Sequence, residues 1–220
     1  MTEEARDDFA AAPARAGAGL ALLVVFDAAT LGFVTLGFEM VASRILTPLF
    51  GSGIYTWATI ISIVVAGLMA GYFVGGFLAD RYPGFGLAAL IKLLAAAYLL
   101  GGVFLSSGPL EAMIGGIGDE TAALFASGIV ICFPPLLVLG MYSPLAVRLL
   151  LRDPGDAGKV SGGLFAVSSL GNIVGIIVTT FALIPTLGTR AITLGFATSL
   201  VLSALLSLGA RLIAGAGRPT

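Results

Sequence analysis

Six long apolar runs, near residues 17–42, 54–78, 86–105, 121–141, 160–184 and 191–213, leave this chain few ways to fold. Each approaches or exceeds the ~20 residues that an α-helix needs to cross a hydrocarbon core ~30 Å thick. A helix satisfies its backbone hydrogen bonds internally, so it is the element such runs adopt in lipid. The expected fold is an all-α polytopic membrane protein with about six transmembrane helices. It divides into a cytosolic tail (1–16), a six-span module (17–213) and a second cytosolic tail (214–220). Only 10% of the 220 residues are charged, against about 25% in a soluble domain.

An even number of crossings puts both termini on one side, and the basic residues suggest which. Arg6, Arg15, Arg81, Lys92, Arg148, Arg152, Lys159, Arg211 and Arg218 collect on that side, leaving Arg44 and Arg190 on the other. Cytoplasmic flanks are enriched in Lys and Arg, so both termini are expected in the cytoplasm. The opening segment is acidic and precedes a run longer than the 7 to 15 residues typical of a signal-peptide core, which reads as a retained first helix.

Histidine is absent and Cys132 is the single cysteine. Those counts remove disulfide frameworks, zinc sites and Cys-His catalysis within the chain, and no metal or other cofactor is expected. With 11 basic against 12 acidic residues there is no basic face for nucleic acid. The GGIGDE stretch at 115–120 is flanked by a short loop and an apolar span, not by the strand and helix that a nucleotide-binding loop requires.

Gly67, Gly71 and Gly75 fall every fourth residue on one helix face, and Gly171 with Gly175 repeats the spacing. Such stripes let two backbones approach, either within the bundle or across a dimer seam. Pro134 and Pro135 interrupt the hydrogen-bond ladder of the fourth span and predict a kink. The following PLAVRLLLRD reads as a short amphipathic helix at the inner surface, with Arg148 and Arg152 four apart.

The charges inside the runs are the candidate ligand- or ion-binding residues. Asp27 lies roughly 15 Å along its helix, near the centre of the hydrocarbon, where an ionised carboxylate costs at least ~2.5–3.5 kcal/mol. It must be protonated, paired or hydrated. Lys92, roughly 9 Å into the third span, either reaches Asp27 or extends to the headgroups. Glu39 and Arg44 are five residues apart, so on a continuous helix they diverge by about 140°. Loosening of the helix before Pro48 would let Arg44 fold back toward Glu39 or another span.

The string EMVASRILTPLFGSG, followed by AGLMAGYFVGGFLADRYP, resembles the membrane module of the fused major-facilitator/spermidine-synthase-like proteins. Glu39, Arg44 and Phe50-Gly51-Ser52 match the opening of that module. GMYSPLAVRLL and GGLFAVSSLGNIVGIIVTTFALIPTLGTR are similar to its later glycine-rich turns, so the likeness covers roughly residues 30 to 190. GGFLADRYP, with Asp80 and Arg81, is also similar to the loop motif between the second and third helices of major facilitators, although Tyr82-Pro83-Gly84 replaces the usual basic residues.

The resemblance implies a multi-pass protein of a bacterial inner membrane. It also implies a soluble aminopropyltransferase-like half, which this chain, ending at Thr220, is not expected to contain. No enzymatic activity is therefore expected of it. Two functions follow. One is a transporter-like or polyamine-cation-binding module that works as a homodimer in the lipid bilayer. The alternative is a non-catalytic anchor or accessory subunit that docks a separate aminopropyltransferase-like enzyme or a larger membrane complex.

Overall fold

The computed structural model describes residues 18–105 and 108–216. Arg6, Arg15, Arg218 and the amino-terminal tail lie outside the described residues. Six helical spans are long and apolar enough to cross a membrane. The first is Ala18–Phe50, the second Ile54–Arg81 and the third Phe85–Leu105. A short helix, Gly108–Gly115, lies in the connection expected to be a plain loop. The fourth span runs Glu120–Gly140 and resumes after Met141 as Tyr142–Leu150. The fifth, Ala157–Val178, continues through a π-helical turn, Thr179–Leu183, to Thr186, and the sixth is Thr189–Ala216. The segment expected as a second tail thus begins inside the sixth helix.

The helix boundaries have local causes. Gly51 has φ +76°, a conformation that side chains with a Cβ disfavour, and its N–H bonds to the Thr47 carbonyl at 2.9 Å to close the first helix. Asp119 caps the fourth span by accepting from the Ala122 N–H at 2.7 Å.

Three pairings dominate the packing: first with fifth, second with fourth, and third with sixth. Exchanging the first with the fourth, the second with the fifth and the third with the sixth maps this set onto itself. The lesser contacts obey the same exchange. First–sixth matches fourth–third, and first–second matches fourth–fifth through the Tyr142–Leu150 segment. Equivalent spans lie three crossings apart and therefore run in opposite directions. The bundle is an inverted repeat of two three-helix units.

The glycine stripes follow the same symmetry. Cβ atoms on Gly71 and Gly75 would collide with the backbones of Leu137 and Met141 in the fourth span. Cβ atoms on Gly171 and Gly175 would collide with Ala29 and Phe33 in the first. Gly67 approaches the Phe133 carbonyl in the same way, 3.1 Å from where a Cβ would stand. All five glycines lie within the bundle, where small residues permit close van der Waals packing.

Three expectations need correction. The first helix does not loosen before Pro48; it runs unbroken for 33 residues with that proline inside. Lys92 is fully buried, so it is not a flank residue and carries no weight as a topology marker. The PLAVRLLLRD segment does not lie free on the surface either: Leu145 and Ala146 are buried in the core, and the helix, which begins at Tyr142, ends at Leu150, before Arg152.

Pro134 lacks an N–H, which leaves the Val130 carbonyl without its helical donor. The Tyr98 hydroxyl, from the third span, donates to that oxygen. A neighbouring helix thereby restores what the proline removes, the usual condition for proline inside a membrane helix.

Candidate functional site

Asp27 and Lys92 meet in the bundle interior, where both are fully buried and the Lys92 ammonium donates to Asp27 Oδ2. Bare opposite charges in a medium of low dielectric do not offset their own desolvation; the remaining lone pairs and protons must also be satisfied. Here the sixth span supplies them. Ser203 and Ser207, one helical turn apart, accept from Lys92 Nζ at 2.9 and 2.7 Å. The Ser203 carbonyl accepts at 3.1 Å. The same hydroxyls donate onward, Ser203 to Asp27 Oδ1 and Ser207 to Oδ2 at 3.3 Å. Tyr142 donates to Oδ2 at 3.2 Å, and its ring lies 5.5 Å from the Lys92 nitrogen, within cation–π range.

The five residues come from four spans, and those spans are the symmetry-related pairs. Asp27 on the first faces Tyr142 on the fourth; Lys92 on the third faces Ser203 and Ser207 on the sixth. The cluster joins the two repeats.

Beside it lies a narrow cleft of about 40 Å³ between the first, second, fourth and fifth spans. Its polar lining is uncharged: Thr35, Tyr72, Tyr142, Ser143, Ser168 and Asn172. The Asn172 side-chain oxygen is buried and has no hydrogen-bond partner, an unfavourable state unless something occupies the cleft. A Cβ on Gly32 would collide with the Ser168 carbonyl, so glycine there lets the first and fifth spans meet backbone to backbone beside Asn172. Tyr142 belongs to both features: it lines the cleft and bonds to Asp27.

The other sequence candidates are dispersed. Glu39 is buried at 8% exposure on the face opposite to the exposed Arg44. Because the helix stays continuous, the 140° divergence persists, and among the described residues no ion pair joins the two. Asp80 and Arg81 are exposed at the end of the second span; Arg81 lies over the Tyr82 ring at 5.8 Å. Among the described residues no group of His, Cys, Asp and Glu could hold a metal. Ser203, Ser207, Tyr142 and Asn172 were not candidates from sequence. The spacing of the two serines in an apolar run, at i and i+4, was the available signal.

Compared with protein-family models, with curated proteins and with solved structures, the chain shows no match.

Proposed function

We propose that this chain is a transporter-like module of a bacterial inner membrane, that it binds a small neutral hydrogen-bonding solute in the cleft between its repeats, and that two copies complete the pathway. One observation carries the reading: a polar cleft with an unpartnered Asn172 oxygen lies at the interface of an inverted repeat. In secondary transporters that interface, near the middle of the membrane, is where substrate binds. Gly32 and Thr35, about halfway along the first helix, and Asn172, halfway along the fifth, fit that depth.

The neutral class follows from the charges. No carboxylate lines the cleft, and the charge of Asp27 is balanced by Lys92. The resemblance favours polyamine-like cations instead, which need an acidic site. Tyr142 supplies a coupling route, since a solute that draws its hydroxyl away from Asp27 loosens the ion pair.

Proteoliposome uptake tests this reading. A small polyol should enter, spermidine should not, and Asn172→Leu should abolish entry while the protein stays folded. Spermidine uptake lost in Asp27→Asn would replace the neutral-solute reading with the cationic one. Failure of both solutes to enter or bind would remove the transport reading.

A further inference from the structure

Asp27 finds a cation inside the bundle; Glu39 does not. Glu39 is buried roughly 16 Å from the end of the first helix, and among the described residues it has neither a hydrogen bond nor an ion pair. Arg44, on the same helix, is exposed and points away. The elements packed against the first span bring no countercharge. Cys132 on the fourth is fully buried and within electrostatic range of Glu39, yet a thiol carries no positive charge. Tyr98 on the third gives its hydroxyl to the Val130 carbonyl, and Lys92 is held by Asp27 and the two serines. Apart from Tyr72 in the cleft, the ionisable residues of the second span, Tyr55, Asp80 and Arg81, lie at its ends. The fifth span has none from Val160 to Thr186. On the sixth, Arg190 and Arg211 stand near opposite ends.

Placement links this carboxyl to the polar cleft. Thr35, one helical turn before Glu39, lines the cleft, and Leu139, two turns after Cys132, lines it from the fourth span. Glu39 therefore sits just past the cleft, toward the end of the bundle where the first span finishes. At about 40 Å³ the cleft has room for only a few water molecules, so a solute enters only when the spans part. An unpaired carboxylate shut inside the bundle is costly, and a neutral carboxyl much less so. We infer that Glu39 is a proton-binding site: it holds a proton while the cleft is closed and yields it to entering water when the spans part, which couples proton movement to solute movement. Only the carboxyl O–H bond forms or breaks, and the proton passes to and from water. Buried acids serve as proton relays in pumps and transporters for this reason. The coupling rests on the transport reading of the cleft; proton binding at Glu39 does not.

Infrared spectroscopy of the full chain in nanodiscs tests the proton site without any solute. Carboxylates in water are ionised at neutral pH, so a protonated-carboxyl C=O band should remain there, vanish in E39Q and persist, shifted, in E39D. The amide bands of the same spectra check that each variant keeps its helices. Proteoliposomes loaded with a pH-sensitive dye then test the coupling with a small polyol. Wild type and E39D should move protons with the polyol, whereas E39Q should exchange labelled polyol across the membrane without moving protons. A neutral-pH spectrum with no band that E39Q removes overturns the inference, as does proton movement unchanged in E39Q. If E39Q removes the band but wild type neither binds nor moves the polyol, proton binding at Glu39 is upheld and the cleft reading falls with its coupling.

Discussion

The two halves of the bundle pack alike and differ in chemistry. The first repeat brings the charges, Asp27 on its first helix and Lys92 on its third; the second brings hydroxyls at the equivalent helices, Tyr142 on the fourth and Ser203 and Ser207 on the sixth. The glycine stripes, by contrast, recur in both halves. Symmetry thus resides in the backbone approach, which sets helix packing. Asymmetry resides in the polar cluster, where one half carries ions that only the other half can solvate.

Lys92→Met should break this comparison most severely. It strands a buried Asp27 with hydroxyl partners alone, and removing one member of a buried pair costs about 3–5 kcal/mol. Thermal or denaturant unfolding in detergent micelles should register that loss. Next come the symmetric positions. Gly71→Leu and Gly171→Leu force backbones apart and should each cost about 1–3 kcal/mol or more, by similar amounts if the repeats are equivalent. Unequal losses, read in the same unfolding assay, would show that the symmetry is superficial.

Smaller effects sharpen the contrast. Ser207→Ala removes one hydroxyl from a charged cluster that keeps Ser203 and should cost about 1.5–3 kcal/mol. Tyr98→Phe strands the carbonyl that Pro134 freed and should cost about 1–3 kcal/mol, with a local increase in amide exchange around Val130. Asn172→Leu should leave stability nearly unchanged, because it removes an amide whose buried oxygen has no partner, while solute binding is lost.

The spans were legible because an apolar run of sufficient length admits few other structures in lipid. Asp27 and Lys92 stood out for the same reason: a charge inside such a run requires a partner. The serines did not, since hydroxyls in membrane helices commonly bond to their own backbone, as Ser127 does to the Ala123 carbonyl at 2.7 Å. Glu39 and Arg44 misled because proximity in sequence suggested proximity in space, and the helix persisted through Pro48. The inverted repeat was only half visible. The matching glycine spacings marked the second and fifth spans as alike, but their partners on the first and fourth are backbone atoms, which leave no trace in side-chain identity.

The most direct test of the central claim, that Asp27 and Lys92 are paired inside the membrane, is a double-mutant cycle of Asp27→Asn and Lys92→Met followed by unfolding in bilayers or micelles. A buried pair predicts strong non-additivity: the double variant should be more stable than the sum of the two single losses implies, by at least about 1–3 kcal/mol. Simple additivity would mean that the two side chains do not sense each other, and would contradict the account.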